Sequence, residues 1–362
     1  MNSAKFISRR LRFREGLCAV AVAVSFFVII VAVAVSSGFR REIRSGVAQM
    51  AGDVRIEPYD NSVSLEHVDG IVKVQPVVYQ TGIVKNEDNI QGVVFKGVEA
   101  LDSLEMSVSI PSGLSRKMGF APGDLMTVYF VGSKVKVRRF TVASVYDNPV
   151  QTDDSFIVMA SLRDISRVQD TDVQSISEVT LAPSYRTRRM LKDKTAEIGA
   201  YVYPAVAVSS ADKYPQLFDW LDLIDFNVAA IILLMSIVAG FNMISGLLIM
   251  LFRNTSTIGV LKSLGMADKS IASVFLRVAS GLLIRGMIAG NALALLFCLV
   301  QGRFHLLKLN PENYFVSYVP VSVDPVLIVA ADLLAFVLVL LLMLIPTLFI
   351  SKVDPSRTVR AD

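Results

Sequence analysis

Cysteine and histidine are scarce in this chain of 362 residues, which has two of each. Cys18 and Cys298 both lie inside long apolar runs, which excludes a disulfide framework for any water-exposed domain. His67 and His305 stand alone, with no Cys or Glu at ligand spacing, and read as surface or loop histidines with no metal site. Phosphate-binding loops are missing as well: Gly132, Ser133 and Lys134 lack the order and spacing by which a P-loop's backbone amides hold phosphates. There is no Gly-x-Ser-x-Gly elbow and no His-Glu-x-x-His. Asp153 and Asp154 follow a proline in a loop, where a solvated turn is expected and not an acid–base pair. The chain is therefore expected to hold no catalytic residues and no cofactor, and another subunit must supply the energy for any work.

Charge is thin. Only 19% of residues are charged against 53% hydrophobic, and the mean hydropathy is +0.54, a balance that a soluble domain of this length would struggle to keep in solution. The net charge of +4 comes from basic residues in short runs beside apolar segments, where they act as topology signals, so no nucleic-acid site is expected.

What the chain does have is long apolar runs. A bilayer core needs about 20 consecutive apolar residues as helix. Spans are predicted over 17–37, 228–252, 278–300 and 326–350. Each must be helical because lipid offers backbone groups no partner. The first follows Lys5, Arg9, Arg10, Arg12 and Arg14 and could be a cleaved signal peptide, but its run exceeds the roughly 7 to 15 residues of a signal core, which favours a retained helix. Lysine and arginine in short loops mark the cytoplasmic side. They place segment 1–16, loop 253–277 and tail 351–362 in the cytoplasm, and the short loop 301–325 outside. Arg40, Arg41 and Arg44 break this pattern, but they open a long domain, 38–227, and long translocated domains largely escape the rule.

Asn242, Arg285, Asn291 and Asp332 fall within the spans and are costly facing lipid, so they are expected to face other helices or a wet cavity. Counting along oppositely running helices puts Asn291 and Asp332 at similar depth, which predicts a hydrogen bond between them. Arg285 lies nearer the cytoplasm and can snorkel to the interface. Ser236 and Gly240 stand four residues apart, a spacing that permits close helix contact.

Between the first two spans the pattern changes to short β-rich runs: 53–57, 71–84, 92–98, 125–131, 135–145 and 155–159. Helices are predicted over 112–119, 162–168 and 184–198, with 210–225 leading into the second span. Val131, Gly132, Ser133 and Lys134 separate two β-rich runs and read as a hairpin tip. The expected fold is a helical membrane protein with four transmembrane helices and a large α+β extracytoplasmic domain between helices 1 and 2, part strand-rich and part helix-and-strand.

The loop after the second span runs Arg253, Asn254, Thr255, Ser256, Thr257, Ile258, Gly259, Val260, Leu261, Lys262, Ser263, Leu264, Gly265, Met266. Ile258, Leu261 and Leu264 share a helical face and Gly265 suits a helix end, so a short amphipathic helix is expected against the inner surface. By itself it could be an interfacial anchor. Its wording resembles the "R..xIGxLKxLGxxxxxI" signature of the FtsX-like, or MacB-type, ABC permeases (type VII). Three further stretches are similar to the LolC/LolE lipoprotein-releasing branch. They are Phe6 to Arg14 with Ser37, Gly38 and Phe39; Asn313 to Val321; and the end from Pro346 through Lys352, Asp354, Pro355 and Arg357 to Arg360.

That resemblance covers essentially the whole chain and implies several things. Arg253, Ile258, Gly259, Leu261, Lys262, Leu264 and Gly265 would form the coupling helix that docks on a LolD-like ABC ATPase, which carries the ATP and Mg. The partners would include a second permease copy or paralogue, a lipoprotein substrate, membrane lipid and a periplasmic lipoprotein carrier, with no nucleic acid. The location would be the bacterial inner membrane, with both termini cytoplasmic. The hairpin at 131–134 is shorter than the hook by which one branch member recruits the carrier. A MacB-type efflux permease and an FtsX-type regulator of a cell-wall hydrolase are the alternative expectations.

Overall fold

The computed structural model describes residues 16–58, 65, 68–86, 89–101, 105–132, 134–146, 156–168, 176–185, 187–310, 314, 316 to 347. Segments 1–15 and 348–362, His67, Ser133, Asp153, Asp154 and Asn313 lie outside them. The chain divides into two compact units, one of 1–38, 222–306 and 320–362, the other of 39–221 and 307–319.

The first unit is built from helices α1 (Gly16–Ala51), α6 (Pro215–Arg253), α8 (Asp268–Phe304) and α9 (Pro325–Leu342). All four are long and apolar enough to cross a membrane. Three of them run well past the apolar stretches: α1 continues to Ala51, α6 starts at Pro215 and α8 starts at Asp268. The unit's core draws on every span at helical spacing: Val22, Phe26, Ile29 and Ile30 from α1, Ala239, Met243 and Leu247 from α6, Leu282, Leu283 and Ala294 from α8, Ala331, Ala335 and Val339 from α9. Other faces leave Leu293, Leu296, Leu333 and Leu334 uncovered, as a surface bathed in hydrocarbon requires.

Small residues set which helices touch. A Cβ on Gly286 would meet Val22 Cγ1 at 2.6 Å, and one on Gly290 would strike the carbonyl of Ala23, so α8 lies directly on α1. Gly240 takes the side chain of Leu342 in the same way and brings α6 against α9. Ser236, one turn away, bonds its own helix at Ile232 O (2.6 Å) and is buried. Gly38, where α1 leaves this unit, lies against the carbonyl of Pro320, and Ser322 N–H donates to Ala34 O at 2.9 Å.

The second unit is α+β. Nine strands follow in chain order: β1 (Val54–Glu57), β2 (Ile71–Asn86), β3 (Asn89–Val98), β4 (Ser107–Pro111), β5 (Leu125–Phe130), β6 (Lys136–Tyr146), β7 (Phe156–Ser161), β8 (Ile176–Leu181) and β9 (Val206–Ser209). Their order is β3-β7-β4-β6-β5-β2-β8-β1-β9, and an extra pairing of β3 with β2 closes the first six into a ring. β2 belongs to both halves of the sheet: Val77 to Asn86 pair with β3, and Ile71 to Val77 pair with β8. Inside the ring Phe95, Phe130 and Phe140 form an aromatic cluster with centroids 5.0 to 6.2 Å apart. A separate core lies where α4 (Arg188–Val202) packs Leu191, Ile198 and Val202 against Val54, Ile56, Val179 and Leu181 of the open end. The Thr187 hydroxyl caps α4 by accepting from Met190 N–H. Helices α2 (Ser112–Met118), α3 (Leu162–Ser166) and α5 (Ser210–Lys213) complete the unit.

The expected runs correspond to β1, β2, β3, β5, β6 and β7, and the reading missed β4, β8 and β9. β8 carries Ser177, Glu178 and Thr180, β4 carries two serines, and β9 has four residues, so none offers an apolar run of strand length. The predicted helix over 184–198 starts at Arg188 and ends at Val202, because Thr187 supplies the cap.

Replacing Gly290 with Val is expected to cost about 1–3 kcal/mol by overpacking α8 on α1. It should lower the thermal midpoint of the purified protein. Gly281→Ala, whose added methyl meets nothing within 4 Å, should leave it unchanged.

Candidate functional site

The loop after α6 is compact and built from its own backbone. Asn254 separates α6 from α7 (Thr255–Ser263): its side-chain Nδ2 donates to Met250 O at 2.8 Å, satisfying a terminal carbonyl of α6, while its own carbonyl accepts from Ile258 N–H at 2.9 Å. α7 ends in a Schellman turn. Met266 N–H reaches Leu261 O, Gly265 N–H reaches Lys262 O, and Gly265 adopts φ +84°, a conformation that excludes most side chains. Ile258 is fully buried and Gly259 is buried. Leu261 and Met266 pack on the same membrane core.

Not every residue of the signature points inward. Leu264 is 78% exposed because the helix ends at Ser263 and the cap breaks the phase it would share with Ile258 and Leu261. Val260 is exposed beside it, and so is Arg253. Lys262 is nearly buried and pairs with Asp268 Oδ1 at 3.0 Å, which fixes α7 to the first turn of α8 where a carboxylate suits the helix dipole. The seven signature residues thus split into an anchoring set, Ile258, Gly259, Leu261 and Lys262, the turn glycine Gly265, and an outward set, Arg253 and Leu264. Exposed apolar side chains on a rigid turn are suited to a protein partner.

Among the polar residues of the spans, Asn291 Nδ2 donates to Asp332 Oδ2 at 2.5 Å and ties α8 to α9. Asn242 is half-buried, and its backbone carbonyl takes the Cys18 thiol at 3.8 Å. Arg285 is exposed on α8, without an ion-pair partner among the described residues. At the β5–β6 hairpin the last pair is Phe130 with Lys136. Val131 and Lys134 at its tip are exposed and Gly132 forms the bend. Among the described residues no three His, Cys, Asp or Glu side chains cluster in a way that could hold a metal ion.

The second unit contains a constellation that sequence reasoning missed, and it grips the far end of α1. Gly52 ends that helix at φ +67°, and a Cβ there would meet Glu178 Cβ at 2.8 Å. Lys96 has a fully buried side chain. It donates to Met50 O in the last turn of α1 at 2.6 Å and to Glu178 Oε2 at 2.5 Å. A cation on the terminal carbonyls complements the negative end of the helix dipole. Glu178 also accepts from the Tyr79 hydroxyl and from Gln75 Nε2. Burial pushes the Lys96 ammonium below its ordinary value, against the pull of Glu178 in the opposite direction. Burial and the Glu178 charge together push the Tyr79 phenol up, so it stays a donor. Two turns back on α1, Arg44 pairs with Asp53 at 3.4 Å and donates to the carbonyls of Ala182 and Pro183, while Asp53 accepts from Leu181 N–H at 2.7 Å. Arg44 belongs to the basic cluster that broke the charge rule. That inconsistency was the one available signal, because nothing in the local pattern marks Lys96 or Glu178.

Residues 229–355 match the model of the FtsX-like permease C-terminal family. The lipoprotein-releasing system transmembrane protein LolC of Xylella fastidiosa (strain 9a5c) is 22% identical over 384 residues, covering 94% of this chain and 92% of that protein. The protein of the same name from Neisseria meningitidis serogroup B is 21% identical with the same coverage. The solved periplasmic region of MacB from Actinobacillus actinomycetemcomitans is 15% identical, covers 48% of this chain and 95% of its own, and superposes with a TM-score of 0.28. The fold defines a four-span membrane protein with a large α+β domain between its first two helices. By these matches residues 229–355 are similar to the FtsX-like permease C-terminal family, and the chain over most of its length is similar to lipoprotein-releasing system transmembrane proteins.

Removing one partner of a buried ion pair costs about 3–5 kcal/mol, whereas replacing both with packed apolar groups is often neutral. Lys96→Met in the full chain should therefore lower the unfolding midpoint of the second unit. Lys96→Met combined with Glu178→Leu should restore most of it, as followed by calorimetry.

Proposed function

We propose that the chain is the membrane subunit of a transporter that extracts lipid-anchored proteins from the outer leaflet of the bacterial inner membrane. A separate LolD-like ATPase drives it, and a second permease copy or paralogue completes the transporter. The observation that carries this reading is the similarity to lipoprotein-releasing transmembrane proteins across 94% of the chain and 92% of theirs. In this reading segments 1–16, 253–277 and 351–362 face the cytoplasm and 38–227 and 301–325 the periplasm.

The chemistry of the task fits a machine of this kind. A single acyl chain holds a protein to a membrane only marginally, but several chains at about 0.8 kcal/mol per buried methylene hold it firmly, so release needs coupled work. The ATPase would dock on Val260 and Leu264, whose exposed side chains stand on the turn that Ile258 and Lys262 fix to the spans. Closure of the motor would displace α7 and with it α6 and α8. The displacement would pass outward along α1 and α6, which are continuous from the spans into the second unit. Transfer to a periplasmic carrier follows in this scheme.

Depletion of the protein should leave lipoproteins in the inner membrane, measured by fractionation. Lipoproteins in their normal place together with altered cell separation would overturn the reading in favour of a hydrolase regulator. Leu264→Glu and Gly259→Val should each lower ATP-dependent lipoprotein release by about tenfold or more while the subunit still reaches the membrane. Full release in both variants would remove this loop from the coupling path.

A further inference from the structure

The hydrogen bond between Asn291 and Asp332 is incomplete. Asn291 Nδ2 donates to Asp332 Oδ2, but the second oxygen of each side chain, Asn291 Oδ1 and Asp332 Oδ1, is buried with no hydrogen-bond partner among the described residues. Both residues lie well inside membrane-length helices. An ionised carboxylate is an acceptor only, and an anion withdrawn from water needs donors at both oxygens. The surrounding side chains of α8 and α9 are apolar and the hydrocarbon provides no donor. A bare carboxylate oxygen beside a bare amide oxygen is thus the arrangement that a charged Asp332 could least sustain.

A single hydrogen atom satisfies both oxygens. A carboxyl O–H on Asp332 Oδ1 would donate to Asn291 Oδ1 while the amide N–H continues to donate to Asp332 Oδ2. The planar heads already share one bond, and closing the second needs only small rotations about terminal torsions that are broad and soft. We propose that Asp332 is a proton-binding site within the membrane, and that in its protonated form it makes a closed, neutral acid–amide pair with Asn291 that joins α8 to α9. The proton comes from water and returns to it, and no other bond changes. The pair has a consequence for motion. Because neither partner carries charge, α8 and α9 can part and rejoin without exposing an ion to lipid, which a salt bridge in this place would not allow. The inference needs only the bilayer setting of the two helices and stands or falls independently of the cargo.

Infrared spectroscopy of the full chain in lipid nanodiscs tests it. The difference between wild type and Asp332→Asn in neutral buffer should contain the carbonyl stretch of a protonated carboxylic acid. That band should move on deuteration and shift again in Asn291→Ala. Other buried carboxyls such as Asp53 cancel in the difference. Asp332→Asn, which keeps a neutral head able to make both bonds, should inactivate on heating at the wild-type rate. Asp332→Leu strands Asn291 and should inactivate about tenfold faster. A difference spectrum showing only a carboxylate band, or Asp332→Asn inactivating as fast as Asp332→Leu, would overturn the proposal.

Discussion

Hydrocarbon supplies no hydrogen bonds, and most of the first unit is a response to that constraint. Every backbone group within the spans must find its partner in its own helix, which leaves helices as the only local structure. Water then gives no hydrophobic reason for one span to join another, so association depends on close surfaces and on the few polar side chains. Gly286 and Gly290 let α1 approach to the backbone of α8, and Gly240 does the same for α6 and α9. Asn291 and Asp332 find one another across α8 and α9 because each would otherwise face lipid alone.

The second unit obeys the same accounting in a wet environment, with charge where the spans use packing. α1 ends inside the folded domain, so its terminal carbonyls cannot turn to water. Lys96 meets Met50 O, Glu178 neutralises Lys96, and Tyr79 and Gln75 fill the remaining positions on Glu178. Arg44 and Asp53 join the same helix end to the strands on the far side of Gly52. The domain therefore holds α1 through a buried, hydrogen-bonded polar cluster, a specific and directional form of attachment.

Several residues of the family-like stretches acquire a physical role. Ser37, Gly38 and Phe39 lie far in sequence from Tyr318 to Val321, but Gly38 has no side chain because Pro320 occupies that space. Phe39 stacks edge-on with Trp220 at 5.4 Å, and Ser36 donates to Asp225 at 2.8 Å, so α1 and α6 are held together at successive levels. In the loop after α6, Gly265 is required by the left-handed turn and Lys262 by its carboxylate neighbour, whereas the Leu264 side chain stands largely exposed among the described residues.

The chain order alone determined the spans, the change to a β-rich pattern between them, the hairpin at Val131 to Lys134 and the short helix at Thr255 to Ser263. Each is a local signal: an unbroken apolar run, an alternation, a turn residue or a glycine at a helix end. Tertiary structure decided the closure of β3 on β2, the strands β4, β8 and β9, and the burial of Lys96 and Glu178. It also turned Leu264 outward, where periodicity had placed it with Ile258. These depend on which distant segment lies opposite. A charged residue such as Glu178 becomes a strand interior only once Lys96, some eighty positions earlier, is folded against it with its ammonium 2.5 Å away.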